Sequence, residues 1–167
     1  MADVKQAYAA SAALTITLAS LATSSTRTAG RNATAIDNTT NKYLDYLISG
    51  KVTTGTTPTT AKQIDVWVYG SFEDTPTYPD SATGTDAAFT ATSAAILAGS
   101  MQLAASISTD ATSNRTYWFS PFTVARLFGG QMPKFFSIFV THDTAVNLNS
   151  TGSNQAFWQT GLYYTVV

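Results

Sequence analysis

The segment Ile64-Asp-Val-Trp-Val-Tyr69 decides the fold class. Its aliphatic residues occupy every second position, at Ile64, Val66 and Val68. Side chains alternate between the two faces of a β-strand, so this spacing predicts a strand with one aliphatic face directed into a core. The same alternation places Trp67 and Tyr69 on the other face, where they form a contact patch if the chain itself does not cover them.

Comparable alternation recurs along the whole chain, and turn-forming residues separate the runs. The further candidate strands are Leu14 to Leu18, Tyr43 to Ile48, Met101 to Ile107, Arg115 to Phe119, Phe136 to Val140 and Ala156 to Val167. Segments rich in Gly, Pro and Thr lie between them, at 50–61, 73–86, 129–133 and 147–154.

Seven or eight short strands of this kind predict an all-β fold, an antiparallel β-sandwich with the jelly roll as the favoured topology. We expect one domain over 1–167. Helix is expected only in short pieces: 11–21 is ambiguous but favours strand, and the first half of 87–103 is alanine-rich enough for one or two turns. The predicted core comprises Ile64, Val66, Val68, Leu103, Ile107, Phe136, Ile138 and Val140.

Residues 20–41 have a different composition from the rest, because Ile36 is the only large aliphatic residue after Leu21. One interpretation is a long loop or mobile arm. The other is an extended arm that becomes ordered against a partner, with Arg27 and Arg31 as its anchors.

Composition excludes several classes of function. There is no cysteine, so disulfides, thiolate metal sites and a cysteine nucleophile are absent. Charged residues make up 11% of the chain and the formal net charge is −1, which gives no electrostatic footprint for nucleic acid. No apolar run approaches a membrane span and no signal peptide is recognisable, so we expect a soluble protein made in the cytoplasm, without a membrane partner.

No residue pattern predicts catalysis or a cofactor. The single histidine, His142, is followed by Asp143, whose side chain on a strand points to the opposite face and is badly placed for a triad. The acidic residues of 73–86 are the best metal candidates, but they lack the spacing of a calcium loop, so we expect a solvated turn. Phe128-Gly129-Gly130 is a turn and not a phosphate-binding loop. The chain is therefore not expected to be an enzyme.

Aromatic residues are the remaining feature with functional content. The last predicted strand carries Trp158 between other aromatic residues, so its two faces cannot be told apart by alternation. Such residues fill a sandwich core, form a subunit interface, or make a platform on which a sugar stacks. The candidate interface residues are Arg27, Arg31, Trp67, Tyr69 and Trp158.

Several short segments resemble those of capsid decoration (cement) proteins of tailed bacteriophages. They are Lys62-Gln-Ile-Asp-Val-Trp-Val-Tyr-Gly, Tyr78-Pro-Asp, Leu127-Phe-Gly-Gly and Phe139-Val-Thr-His-Asp-Thr. The resemblance covers roughly 40–167, together with a cysteine-free composition rich in Thr, Ser, Ala and Gly. It implies a jelly-roll protein on the capsid surface of the virion, often a trimer, with the major capsid protein as partner.

Two functions follow as expectations. The first is a structural virion protein that binds and stabilises a phage capsid shell, with the aromatic outer face and the arm making contacts. The alternative is a tail or baseplate component, or a carbohydrate-binding module. A weakly charged, hydroxyl-rich surface suits both, because little charge has to be desolvated on contact.

Overall fold

The structure, a computed structural model, describes residues 2–166, so Val167 of the last predicted strand lies outside the described residues. Eleven strands occur within that range. They are β1 (Val4–Tyr8), β2 (Ala12–Ala13), β3 (Ala29–Asn32), β4 (Ile36–Asp37), β5 (Asp45–Thr53), β6 (Lys62–Ser71), β7 (Ala87–Thr90), β8 (Gln102–Thr109), β9 (Thr116–Thr123), β10 (Phe135–His142) and β11 (Ala156–Val166). Two short helices, α1 (Ala94–Ser100) and α2 (Val124–Leu127), accompany 3₁₀ turns at Pro79–Ser81 and Gly152–Asn154.

The strands form two antiparallel sheets that pack face to face, which confirms the predicted β-sandwich. The first sheet has the order β1-β11-β5-β9, with β2 also paired to β11. The second has the order β7-β3-β10-β6-β8, with β4 also paired to β10. In the part of the chain that the structure describes, no helix has the length and apolar character to cross a membrane.

The core lies between the sheets, and most of the predicted core residues are in it. Six of them are fully buried in one cluster: Ile64, Val66, Val68, Phe136, Ile138 and Val140. Ile107 is partly buried against that cluster. From the first sheet, Phe157 packs over Gly50, where a Cβ would overlap its ring, so the glycine makes room for the aromatic side chain.

Leu103 is the exception, with 48% of its surface exposed. The ladder between β6 and β8 shifts register after Val66, so that Leu103 pairs with Trp67 instead of continuing on the inner face. A bulge of this kind inserts one residue and reverses the alternation beyond it. The core prediction for Leu103 is therefore wrong.

The predicted strand Leu14 to Leu18 alternates as expected but forms no ladder. Leu14 and Leu18 are buried, and the threonines between them are exposed. The segment passes from the first sheet to the second: the Leu14 N–H donates to the Phe157 carbonyl, and the Thr17 N–H donates to Asp86. It is an extended crossing that closes one side of the sandwich.

The alanine-rich segment has its helix later than predicted. Residues 87–90 are strand β7, and helix α1 begins after Ser93, whose hydroxyl accepts from the Ile96 N–H at 3.1 Å. A serine at this position favours a helix start because it satisfies an otherwise free N–H group. The helix buries Leu97 against the outer side of the second sheet.

Residues 20–41 are a packed connection. Two short strands of this segment, β3 and β4, pair with β10 and extend the second sheet. Strand β3 lies between β7 and β10, so this part of the segment belongs to the second sheet and is neither a loop nor a free arm.

Candidate contact surface

The outer face of the second sheet is covered by the chain itself. Tyr69 is 0% exposed and lies in a second apolar cluster, with Phe139 and with residues that arrive from the β7–α1 segment. The Tyr69 ring meets Tyr78 edge to face, with centroids 5.3 Å apart. Burial raises the pKa of Tyr69 to about 12.

Trp67 is partly buried against the same cluster, and its indole nitrogen is buried. Trp67 and Tyr69 therefore do not form the exposed contact patch that the alternation predicted. That prediction depended on the face being uncovered, and 82–101 covers it.

The two arginines bind carboxylates of their own chain. Arg27 lies 2.9 Å from Asp65 and 3.1 Å from Asp143, and Arg31 lies 2.7 Å from Asp86. Burial would raise the pKa of Asp86, but hydrogen bonds from Arg31 and Thr17 outweigh it and lower the pKa. The arginines anchor the 20–41 segment to the sandwich, which corrects their interpretation as anchors for a partner.

His142 is enclosed at the end of β10. Its Nε2 lies 3.1 Å from the Leu21 carbonyl and its Nδ1 lies 3.0 Å from the Thr144 hydroxyl. Burial lowers its pKa, against the effect of the Leu21 carbonyl and of Asp143, which favour the charged form. Asp143 itself accepts from the Gln63 N–H and pairs with Arg27, so it does not orient the imidazole.

The acidic residues of 73–86 do not converge. Asp74 pairs with Lys134, Asp80 accepts from Thr92, and Asp86 binds Arg31. Among residues 2–166, no three His, Cys, Asp or Glu side chains are grouped so that they could hold a metal ion.

The outer face of the first sheet is open to solvent, and we call it the aromatic face. The even-numbered residues of β11 point outward, since Phe157 lies in the core. Trp158 is half-buried there and Trp118 of β9 is 64% exposed. Their rings are parallel within 9°, with centroids 6.0 Å apart, and the Lys51 ammonium lies 5.7 Å from the Trp118 ring.

The face continues toward the end of the sheet formed by β1 and β11. Val4, Tyr8, Tyr164 and Val166 are between 61% and 67% exposed there. The strand registers place only two charged residues of the described strands on this face, Lys51 and Asp45. Of the predicted interface residues, only Trp158 lies on it.

Alternation alone did not show on which face of its strand Trp118 lies, although the strand itself was predicted. In Tyr117-Trp118-Phe119 three aromatic residues follow one another, so the inner one cannot be recognised from the segment itself. Pairing with β5 decides it: Phe119 lies opposite Gly50 on the core side and Trp118 lies opposite Lys51.

Fold and surface together define a two-sheet antiparallel sandwich with one covered and one open outer face. Comparisons with family models, with curated proteins and with solved structures find no match to this chain.

Proposed function

We propose that the chain is a structural virion protein that binds and stabilises a phage capsid shell through its aromatic face. The observation that carries the proposal is the stacked Trp118–Trp158 pair, in which Trp118 is 64% exposed, on a face where the described strands place two charged residues. Tryptophan contributes strongly to protein interfaces, and a face with few charges loses little hydration when it is covered. The proposed partner is the major capsid protein, and the proposed location is the virion surface.

The resemblance supplies the finer parts of the proposal. It favours a jelly roll and self-association, with a trimer as the form implied by decoration proteins. A jelly roll has eight strands in two facing antiparallel sheets. The strand orders are consistent with that topology, because the four strands β1-β11-β5-β9 of one sheet face the four strands β3-β10-β6-β8 of the other. No catalytic role is part of the proposal.

A binding assay on shells tests it. The purified protein is titrated onto shells of the major capsid protein, and bound protein is measured by co-sedimentation. Trp118→Ala is expected to weaken binding about tenfold or more, as for the loss of a central aromatic residue in an interface. Leu103→Ala is the matched control, since Leu103 is 48% exposed on the second sheet and should bind like the wild type.

Equal binding by the Trp118 variant and the wild type would overturn the assignment of the face. Copy number separates the shell from a tail or baseplate: a decoration protein occurs in proportion to the main shell protein, and a tail component occurs in few copies. Quantitative mass spectrometry of purified particles makes this distinction.

A second candidate function is carbohydrate binding at the same tryptophans. The parallel Trp118 and Trp158 rings favour it, because exposed aromatic rings stack on sugars, and Ser49 and Thr160 lie beside Trp158 with hydroxyls for polar contacts. Titration with glycans, followed by tryptophan fluorescence, tests it. A glycan response that disappears in Trp118→Ala, together with unchanged shell binding, would favour this function over the first.

A further inference from the structure

The N-terminal strand and the end of β11 form a two-stranded extension of the first sheet. We call this the terminal ribbon: Val4–Tyr8 of β1 paired with 162–166 of β11. Pairing between β11 and β5 ends at Leu162 opposite Asp45, so 163–166 have a strand neighbour on one side only. Two-stranded ribbons are marginal in water without further support.

The far edge of β1 carries free backbone hydrogen-bonding groups. The Ala9 N–H donates to the Gly161 carbonyl at 2.8 Å, in the same register as the β1–β11 ladder. Hydrogen-bonded and non-hydrogen-bonded pairs alternate in an antiparallel ladder, so Lys5 and Ala7 direct their N–H and C=O groups toward β11. Val4, Gln6 and Tyr8 direct theirs away from it, and no strand lies on that side within residues 2–166.

We propose that two copies of this chain pair through this edge, β1 against β1, in antiparallel orientation about a two-fold axis at Gln6, so that self-association gives a dimer in place of the trimer that the resemblance implies. This register sets Gln6 opposite Gln6 of the second copy and Val4 opposite Tyr8. All of these residues direct their backbone groups outward, so each opposed pair exchanges two hydrogen bonds. An interface of this kind is self-complementary, as closed dimers require.

The side chains fit the same register. Val4 and Tyr8 meet on the aromatic face, and both are exposed in the single chain, at 66% and 61%. Aliphatic and aromatic residues directly opposite each other stabilise antiparallel pairs. Lys5 lies opposite Ala7, whereas a register centred on Lys5 sets two lysines against each other and is disfavoured.

Such pairing joins the first sheets of two copies into one sheet. The aromatic faces of both copies then lie on the same side, and a partner with repeated sites can engage both at once. Two linked faces bind such a partner more tightly than a single face does, even though no new contact is made. The interface itself does not depend on what the aromatic face binds.

Sedimentation velocity at tens of micromolar protein tests the proposal, with Gln6→Pro and Gln6→Ala as a matched pair. Proline removes the outward N–H of Gln6 and no bond to β11, as tolerated on an edge strand. Alanine keeps that N–H. We expect a dimer for the wild type and for Gln6→Ala, and a monomer with an unchanged far-ultraviolet circular dichroism spectrum for Gln6→Pro.

Charge variants test the same axis without proline. Gln6→Lys and Gln6→Glu each set like charges opposite each other, and each should weaken the dimer about tenfold or more at low salt. Mixing the two variants should restore a dimer. A monomeric wild type, a trimer or dimer that survives Gln6→Pro, or a mixture that does not reassociate would overturn the proposal.

Discussion

The two outer faces of the sandwich carry similar aromatic residues, but one face is buried by the chain and the other is exposed to solvent. On the second sheet, Tyr69 and Phe139 are buried under β7 and α1. On the first sheet, Trp118 is 64% exposed and nothing in the described chain lies over it. The difference comes from one connection: the chain between β6 and β8 folds back over the second sheet.

This comparison shows that an aromatic residue on an outer face is a contact candidate only once the connections are placed. Tyr69 stabilises the fold, because its burial adds to the apolar area removed from water. Trp118 keeps most of its surface in water, so it contributes less to the fold than Tyr69. The same pattern of alternation thus leaves buried aromatic residues on the outer face of one sheet and exposed ones on the outer face of the other.

The largest expected effect is the difference in unfolding free energy between a substitution on the covered face and one on the open face. Phe139→Ala should lower the free energy of unfolding by about 3–5 kcal/mol, because it opens a cavity in the covered cluster. Trp118→Ala should lower it by about 1.5 kcal/mol or less, since it removes an exposed stacking contact with Trp158 and leaves no cavity in the core. Urea unfolding of both variants measures this, and equal losses would show that the faces are misassigned.

The next effect concerns the anchors of the 20–41 segment. Arg27→Ala leaves Asp65, which is 5% exposed, without its cationic partner. Removing one partner of a buried charge should cost about 1–3 kcal/mol. The control is Arg115→Ala, because the Arg115–Asp110 pair is exposed and its loss should leave stability unchanged within error. If Arg27→Ala melts like the control, the segment is not anchored by this pair.

A smaller effect concerns pH and His142. Its pKa in the folded protein lies below the ordinary 6.5, so the unfolded state binds the proton more readily. Stability from this group is therefore complete above about pH 6.5 and decreases as the pH falls below it, with a slope of at most about 1.4 kcal/mol per pH unit.

The measurement is the free energy of unfolding from pH 7.5 to pH 5, where the carboxylates with lowered pKa values stay ionised. His142→Gln should flatten the profile, since glutamine donates to a carbonyl but does not titrate in this range. A wild-type profile that rises toward pH 5 would contradict a lowered pKa for His142.

The inner residues of β6 and β10 could be predicted because an apolar residue stands at every second position, from Ile64 to Val68 and from Phe136 to Val140. Leu103 could not, since the bulge opposite Val66 is a property of the pairing between two strands. For Leu14 to Leu18 the alternation correctly predicted burial, but a ladder also needs a neighbouring strand edge, which this crossing does not have.

The candidate site was less predictable than the core. Trp158 was named and lies on the aromatic face, whereas Trp67, Tyr69, Arg27 and Arg31 are engaged within the chain. Whether an aromatic or charged side chain meets its own chain or a partner depends on contacts between residues distant in sequence. The local sequence pattern around each residue does not predict those contacts.

Hydroxyl-radical footprinting of the free and the shell-bound protein tests the central claim most directly. Mass spectrometry reads the oxidation of each aromatic residue in the two states. We expect Trp118 and Tyr164 to be oxidised in the free protein and protected on the shell, while Tyr69 stays unmodified in both. Oxidation of Tyr69 in the free protein, or continued oxidation of Trp118 on fully coated shells, would contradict the account.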